Sequence, residues 1–259
     1  MSNCNQTNYL KAKIESQEPV IGTWSTLASP LVTEVMARSG FDFIIIDFEH
    51  GPFRIGKTSN YVNACLVYDC SPLIRIPHNA SWMSLQALDQ GAHGIMLPGV
   101  RNKSDVDRFI KQIKYEPQGN RGFSPFTKSG GFSNDDLSYK QQANEFTTTI
   151  IIIENIEGIN NIDEILEVES LDIVYFGAYD LSQDLGFAGE VYNEKLLSIV
   201  KPSIQKVLDA DKYAGGFVPQ TVNEIKLVQD LGINFITYNV DTNIVYKSVK
   251  EITNWFKSN

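Results

Sequence analysis

The sequence has few cysteines and no long apolar run. The first feature argues against a disulfide-stabilised protein, and the second argues against a membrane-spanning one. Its three cysteines, Cys4, Cys65 and Cys70, have neither a metal-ligand spacing nor the even number of a disulfide framework. We therefore expect free thiols in a reducing compartment. No apolar run approaches the roughly 20 residues of a membrane-spanning helix, and the N-terminal residues include no apolar segment of the kind found in signal peptides. These features predict a cytoplasmic protein with no membrane partner.

Positive charge is scarce as well. The formal net charge is −9 and no basic run is present, which argues against nucleic acid and anionic surfaces as partners. A hydrophobic content of 42% is ordinary for a globular protein. The chain has 259 residues, which suits one (β/α)8 barrel of about 250 residues. We therefore expect a single barrel domain over residues 1–259.

Short apolar runs, rich in β-branched and aromatic residues, recur along the chain and predict strands. They are continuous rather than alternating, as expected of parallel strands that are covered on both faces. The eight predicted strands are 20–24, 42–47, 72–76, 94–98, 149–154, 172–177, 213–217 and 234–239.

Amphipathic stretches between these runs predict helices over 29–40, 79–92, 102–115, 158–170, 193–211, 219–232 and 241–259. We expect Pro202 to kink or break the fifth of them. The alternation of strand and helix predicts an α/β fold, a (β/α)8 TIM barrel. The loop 115–138, rich in Gly, Ser, Pro and Asn, interrupts the rhythm, and a loop of this length is either functional or disordered.

Ionisable residues follow several of the predicted strands. In a barrel of this type the chemistry collects at the C-terminal strand ends, and charged groups there lose solvation unless they are paired or bind something. The residues at these ends include Trp24, Asp47, Glu49, His50, Arg75, Glu154, Gly177 and Asp180.

Each of these residues has a functional and a structural interpretation. Glu154 and Asp180 come from adjacent strands and suit a hard cation such as Mg²⁺ or Mn²⁺, but Asp180 also suits a helix N-cap. Arg75 suits a carboxylate or an enolate, or a salt bridge to Asp47 or Glu49. His50 suits a general base oriented by Asp47, whereas we expect structural roles for His78 and His93.

Lysine is absent from the ends of the predicted strands, and Lys128 lies in the long loop. A Schiff-base aldolase needs a desolvated lysine on a strand, so a metal is the expected electrophile. The sequence also has no G-x-S-x-G, P-loop or G-x-G-x-x-G motif that would indicate other chemistries.

Five segments occur in an order that resembles a known family. They are "IDFEHGPF", "PLIRIP", "YEPQGNRGFSPF", "IIIIENIEGINNIDEIL" and "VYFGAYDLSQDLG". Together they resemble the HpcH/HpaI aldolases, metal-dependent class II pyruvate aldolases of the 2-dehydro-3-deoxyglucarate or 4-hydroxy-2-oxoheptanedioate aldolase type. The resemblance runs from about residue 18 to 255. It implies a barrel of the phosphoenolpyruvate/pyruvate superfamily that reversibly cleaves a 4-hydroxy-2-oxo acid or 2-keto-3-deoxy sugar acid to pyruvate and an aldehyde.

The resemblance also implies roles for individual residues. Glu154 and Asp180 would hold Mg²⁺, Mn²⁺ or Co²⁺, on which pyruvate would be bound as its enolate, and Arg75 would contact the pyruvyl oxygen. His50, oriented by Asp47, would move the proton of the 4-hydroxyl. The substrate would contact Arg75, Trp24, the backbone amides of Gly177 and Ala178, and Asp89 from a neighbouring subunit of a homo-oligomer, by resemblance a hexamer that exchanges a terminal helix.

Two features leave the assignment open in places. Ala178 replaces a proline that is frequent in the family before the metal aspartate, and the aromatic-rich loop after Arg121, of a kind that usually shapes the aldehyde pocket, leaves the aldehyde undefined. The alternatives are a CoA-ester lyase of the malyl-CoA or citramalyl-CoA type, for which no cluster of basic residues is evident, and a non-catalytic barrel used for binding or assembly. Decarboxylation of oxaloacetate would be a side activity, since it passes through the same enolate.

Overall fold

A closed barrel of eight parallel strands forms the centre of the molecule, and its strands follow one another in chain order. The structure, a computed structural model, describes residues 7–78, 80, 82–132 and 138–258. The strands are β1 (Val20–Ser25), β2 (Phe43–Asp47), β3 (Ser71–Arg75), β4 (Gly94–Leu97), β5 (Thr148–Ile153), β6 (Ile173–Phe176), β7 (Tyr213–Gly216) and β8 (Phe235–Val240). The predicted fold class and all eight predicted strands are confirmed to within one or two residues at each end.

Twelve α-helices lie within the described residues. They are α1 (Tyr9–Glu15), α2 (Pro30–Arg38), α3 (Thr58–Leu66), α4 (Met83–Asp89), α5 (Lys103–Ile113), α6 (Tyr139–Phe146), α7 (Ile156–Asn160), α8 (Ile162–Leu166), α9 (Ala178–Asp184), α10 (Glu194–Asp209), α11 (Val222–Asp230) and α12 (Asp241–Ser258). The seven predicted helices are present, with the fourth divided into α7 and α8. The prediction of a break at Pro202 was wrong, because α10 runs through it as one helix.

The strands are buried on both faces, which explains their continuous apolar sequences. Successive side chains of a strand point to opposite faces. In β2, Ile45 packs inside the barrel, whereas Ile44 and Ile46 pack outward under the helices. Inside the barrel the rings of Phe43 and Phe235 stack with their centroids 4.0 Å apart. Gly22 makes this packing possible, since a Cβ there would lie 2.4 Å from the ring of Phe43.

The N-terminal end of the barrel is closed by the residues around α1. Leu10 is fully buried with the barrel interior. The side-chain Nδ2 of Asn8 donates to the carbonyl oxygens of His93 and Phe146, at 3.0 and 2.6 Å. His93 itself is fully buried, and burial lowers its pKa to about 3, so the ring is neutral. Its place at this end of the barrel agrees with the predicted structural role.

The long loop after α5 lies at this same end, because a segment that leads from a helix to the next strand reaches the strand's N-terminus. Its residues Arg121 and Lys128 line a cavity of about 670 Å³ together with Lys11 of α1. None of the described residues of this loop lines the cavity at the C-terminal strand ends of its own chain, so its part in an aldehyde pocket stays a prediction that involves a neighbouring chain. Residues 133–137 of the loop lie outside the described part.

Candidate active site

Adjacent strand ends bring Asp47 and Arg75 together. Asp47 ends β2 and Arg75 ends β3, and the two residues are paired in register. Arg75 Nε donates to Asp47 Oδ1 at 2.8 Å, and Arg75 Nη2 donates to Asp47 Oδ2. Burial alone would lower the pKa of Arg75, but its hydrogen bond and charge interaction with Asp47 outweigh burial and the pKa is raised. Arg75 therefore stays cationic in a largely buried position.

The salt bridge that the sequence left open as a structural interpretation of Arg75 is thus present. It leaves the guanidinium available, because Asp47 engages only Nε and Nη2 of a group with five N–H donors. Arg75 Nη1 lies 3.5 Å from Glu49 Oε2, and the guanidinium carbon is 4.5 Å from the centroid of the Trp24 ring. These contacts fix one face and one edge of the guanidinium at the mouth of the barrel.

Asp47 organises the turn after β2 through the backbone rather than through an imidazole. Its Oδ1 accepts hydrogen bonds from the backbone N–H groups of Glu49 and His50, at 3.0 and 3.2 Å. Within the described residues the ring of His50 has no hydrogen-bond partner. The expectation that Asp47 orients the imidazole was therefore wrong in this structure, because both carboxylate oxygens are engaged by Arg75 and by the turn. His50 is exposed and lines the same cavity as Asp47.

Glu154 and Asp180 line the cavity from the ends of two further neighbouring strands, β5 and β6. Glu154 directly follows β5, and Asp180 lies in the first turn of α9, directly after β6 and Gly177. Burial and, to a lesser extent, the carboxylates of Asp180 and Glu49 together raise the pKa of Glu154 to about 7, against the opposing effects of Arg75 and a backbone hydrogen bond with Gly99. The two carboxylates are therefore close enough to repel each other.

Gly177 gives the Glu154 carboxylate its space. A Cβ at Gly177 would lie 2.8 Å from Glu154 Cβ and 3.3 Å from Glu154 Oε2. The backbone N–H of Gly177 donates to the carbonyl oxygen of Ile153 at 2.9 Å. The predicted contact between this N–H and a substrate carboxylate was therefore wrong, and Ala178 is the remaining amide of the predicted pair.

The cavity that these residues line has a volume of about 430 Å³, within the range of small-molecule sites. Eight of the nine predicted site residues line it: Trp24, Asp47, His50, Arg75, Glu154, Gly177, Ala178 and Asp180. The remaining predicted residue, Asp89, is not part of its lining. Asp89 ends α4 and accepts a hydrogen bond from Arg121 Nη2 at 2.8 Å, so its predicted contact with substrate would require a second copy of the chain.

Apart from Trp24, sequence reasoning assigned no role to the aromatic and amide residues of the lining. Tyr175 projects into the barrel from β6 and accepts a hydrogen bond from Trp24 Nε1 at 3.3 Å. Gln220, Asn239 and Asn243 form an amide wall. Phe217 and Val218, next to this wall, have φ angles of +70° and +43°, a backbone conformation that non-glycine residues adopt at a cost and that is found most often at functional sites.

Comparison with known proteins identifies the family. The sequence pattern of the HpcH/HpaI aldolase/citrate lyase family matches residues 20–247. The chain belongs to this family.

Relatives within the HpcH/HpaI family match over nearly the full chain. The hydroxypyruvate/pyruvate aldolase of Pseudomonas aeruginosa is 29% identical over 250 residues, covering 96% of this chain and 93% of its own. The 4-hydroxy-2-oxo-heptane-1,7-dioate aldolase of Shigella flexneri is 29% identical over 95% of this chain and 91% of its own. The crystal structure of citrate synthase SbnG is 28% identical, has a TM-score of 0.87 and covers 97% of this chain and 98% of its own. The predicted family and the prediction of an aldolase-type carbon–carbon lyase are confirmed.

Proposed function

We propose that this chain is a divalent-metal-dependent aldolase that reversibly cleaves a 4-hydroxy-2-oxo acid or a 2-keto-3-deoxy sugar acid to pyruvate and an aldehyde. The observation that carries the proposal is the shared cavity at the C-terminal strand ends. It combines two carboxylates, Glu154 and Asp180, with the cationic Arg75 and the imidazole of His50. Arg75 is the sole Lys or Arg in the described lining, whereas CoA phosphates require several basic groups.

The donor set fits a hard divalent cation. Carboxylate oxygens are the preferred protein ligands of Mg²⁺ and Mn²⁺, and such ions commonly take only one or two carboxylates from the protein. Asp180 raises the pKa of Glu154, and a cation between the two carboxylates would relieve this repulsion. Neither carboxylate is in an ion pair within 4.0 Å among the described residues. Mg²⁺, Mn²⁺ or Co²⁺ held there would supply positive charge to the keto and carboxylate oxygens of the substrate.

Arg75 and Ala178 would position the pyruvyl half of the substrate. The N–H groups of Arg75 that Asp47 does not engage would donate to the 2-oxo oxygen, where negative charge grows as the C3–C4 bond breaks. The backbone N–H of Ala178 would donate to the 1-carboxylate. Asp47 would act as a positioning residue, since it holds the guanidinium from the opposite side through Nε and Nη2.

His50 would move the proton of the 4-hydroxyl group. In cleavage the neutral imidazole accepts this proton, the O–H electrons form the aldehyde carbonyl, and the C3–C4 electrons pass to the enolate of pyruvate. The enolate then takes a proton at C3 to give pyruvate. General-base assistance of this kind is worth about 10²-fold or more in rate, and the exposed ring of His50 can reach the substrate from the rim of the cavity.

The test is pyruvate release from a panel of 4-hydroxy-2-oxo acids and 2-keto-3-deoxy sugar acids. We expect release only when the metal-free protein is supplied with Mg²⁺, Mn²⁺ or Co²⁺, and we expect Glu154→Gln to abolish it. Glu157→Gln is the matched control, because Glu157 is an exposed carboxylate three residues away that pairs with Arg101 at 3.4 Å. Full activity of metal-free protein in EDTA, with metal content checked by mass spectrometry, would contradict the proposal.

We further propose that the chain works as a homo-oligomer. The support is the last helix, α12, whose apolar face is exposed over its whole length, and the position of Asp89 away from the cavity of its own chain. Small-molecule substrates and further copies of this chain are the partners that these features favour.

A further inference from the structure

The active-site cavity contains a buried hydroxyl group to which the proposed chemistry gives no role. Tyr175 lies near the end of β6, is 3% exposed and lines the cavity. Its hydroxyl accepts a hydrogen bond from Trp24 Nε1 at 3.3 Å and is hydrogen-bonded to Thr237 Oγ1 at 2.8 Å. Thr237 is fully buried on β8, and Trp24 lies on β1. One phenolic oxygen therefore connects three strands inside the barrel.

The packing around Tyr175 leaves its ring little room to move. Tyr175 and Gly215 are directly paired across β6 and β7, and a Cβ at Gly215 would lie 2.7 Å from Tyr175 Cδ2. The rings of Tyr175 and Trp24 meet edge to face, with their centroids 5.7 Å apart and their planes at 80°. The hydroxyl group therefore has a fixed position before any ligand binds.

The chemistry of these groups sets the direction of the hydrogen bond between the two rings. An indole N–H can only donate, so the Tyr175 oxygen is its acceptor. Burial raises the pKa of Tyr175 above its usual value of 10, so the phenol is neutral near pH 7. Trp24 is 6% exposed, and the Tyr175 oxygen is the one acceptor of its N–H among the described residues. Loss of this oxygen would leave the indole N–H buried without a partner, which costs free energy.

Trp24 connects this hydroxyl group to Arg75. Asp47 accepts two hydrogen bonds along one edge of the planar guanidinium, and these bonds hold that edge without fixing the tilt of the group. The contact on its face is the Trp24 ring, whose centroid lies 4.5 Å from the guanidinium carbon. The tilt determines the direction of the N–H groups that Asp47 does not engage. These are the groups that would donate to the 2-oxo oxygen of the substrate.

We propose that Tyr175 is a positioning residue whose hydroxyl group holds the Trp24 indole at the angle that supports the Arg75 guanidinium. The inference rests on the proposed aldolase function, since it requires that Arg75 donates to the 2-oxo oxygen. Tyr175 is not a catalytic residue here, because it acts through Trp24 and transfers no proton to or from the substrate. The contact of Arg75 strengthens as charge grows on the oxygen, so its displacement lowers kcat more than it raises KM.

The experiment measures pyruvate release by the Mn²⁺-loaded protein from the acid of the panel that wild type cleaves fastest. We expect Tyr175→Phe to lower kcat about tenfold, since a shift of 1 Å costs on the order of 10²-fold, and to change KM by less than about twofold. Thr237→Val keeps the Tyr175 oxygen but removes its partner, and it should lower kcat by a smaller factor.

Tyr213→Phe is the matched control for the loss of a buried hydroxyl group. Tyr213 begins β7 and is 5% exposed, and its hydroxyl donates to the carbonyl oxygen of Glu18 at 2.8 Å, at the N-terminal end of the barrel. The control removes the same atom and one buried hydrogen bond far from Arg75. It should therefore leave both kcat and KM unchanged.

A double-mutant cycle with Trp24→Phe tests whether the hydroxyl group acts through the indole. Phenylalanine keeps an aromatic ring beside Arg75 but has no N–H, so Tyr175→Phe should have little further effect on kcat in the Trp24→Phe background. A hydroxyl group that contacted the substrate directly, or that only stabilised the barrel, would have the same effect in both backgrounds.

The outcomes separate the two proposals. If Tyr175→Phe has the kcat of wild type, if Tyr213→Phe lowers kcat equally, or if the effect of Tyr175→Phe is the same with and without the Trp24 N–H, the positioning role is refuted and the aldolase stands. If wild type loaded with Mn²⁺ releases pyruvate from none of the acids of the panel, the proposed function fails, and the inference that rests on it fails too.

Discussion

Gly177 leaves room for the Glu154 carboxylate, so its replacement by alanine, which adds one methyl group, tests the metal site. In Gly177→Ala the new Cβ would lie 2.8 Å from Glu154 Cβ, closer than carbon atoms approach without displacement. We expect Mn²⁺ affinity, measured by titration with detection of free Mn²⁺, to fall about tenfold or more, the usual effect of disturbing the support of a metal ligand. Gly56→Ala is the control, since a Cβ at Gly56 meets no atom within 4 Å. Equal affinity in both variants would mean that Glu154 is not a ligand.

The pKa of Glu154 predicts how metal binding depends on pH. Burial, Asp180 and Glu49 raise this pKa to about 7 from a usual value of 4.5, so the carboxyl of the metal-free protein takes up a proton as the pH falls below 7. A cation needs the ionised form and must displace this proton. We therefore expect the apparent Mg²⁺ affinity to fall by up to about tenfold per pH unit below 7 and to level off above about 8. A flat profile between pH 5.5 and 7 in a calorimetric titration would contradict this.

Single site residues could be predicted where they follow a buried strand. Glu154, Asp180 and Arg75 stand out because an ionisable group directly after an apolar run has to be paired or to bind something, and the structure brings all three to one cavity. The partner of Asp47 could not be predicted, since His50 and Arg75 are both chemically suitable. Register decides it: Asp47 and Arg75 are directly paired across β2 and β3. Gln220 and Asn243 carry no distinctive signal in a sequence, because uncharged amides are common on any surface.

At the scale of elements, the strands were predictable and several helices were not. Eight continuous apolar runs have few alternatives to buried parallel strands. The helices α1, α3, α6 and α9 were not predicted. Each has only seven to nine residues, too few to be stable alone, so packing against the rest of the molecule stabilises them. Pro202 was misjudged for a related reason, since a helix that is buried along one face tolerates the loss of one backbone hydrogen bond.

The junction of β1 with α12 depends on one buried carboxylate. Asp241 begins α12, is 1% exposed and accepts hydrogen bonds from the side chains of Ser25 and Thr26 and from the backbone N–H groups of Thr26, Leu27 and Thr242. It thereby fixes the β1–α2 connection, whose Thr26 lines the cavity.

Removal of this carboxylate would leave several buried donors without a partner. We expect Asp241→Ala to lower the free energy of unfolding in urea by about 3 kcal/mol or more. Asp230→Ala, at an exposed position on α11, should change it by no more than about 0.5 kcal/mol. Similar small losses in both variants would show that the junction tolerates the loss of its carboxylate.

At the scale of the whole molecule, the strand–helix rhythm was enough to predict a closed barrel, because a parallel strand needs a crossover and eight such units close on themselves. None of the described helices is long and apolar enough to cross a membrane. Whether a helix contacts another copy of the chain could not be predicted in this way, since an amphipathic helix looks the same in sequence whether its apolar face meets its own barrel or another.

The face of α12 that carries apolar residues is exposed. The exposed side chains, at 53 to 75% exposure, are Val245, Tyr246, Val249, Ile252, Trp255 and Phe256. An apolar surface that extends from Val245 to Phe256, about three turns of helix, indicates a protein contact. We expect the partner to be a second copy of the chain.

We therefore expect the wild-type protein to run as an oligomer in size-exclusion chromatography with light scattering. The pair of changes Val249→Asp and Ile252→Asp should shift the mass toward that of one chain, because two carboxylates would have to be buried without partners. Asn254→Asp adds charge on the opposite face of α12 and should leave the mass unchanged. A wild-type protein with the mass of a single chain would show that this face is not a contact between copies. Loss of pyruvate release by the double variant, with its fold intact by circular dichroism, would support the proposal that Asp89 of a neighbouring chain contributes to the active site.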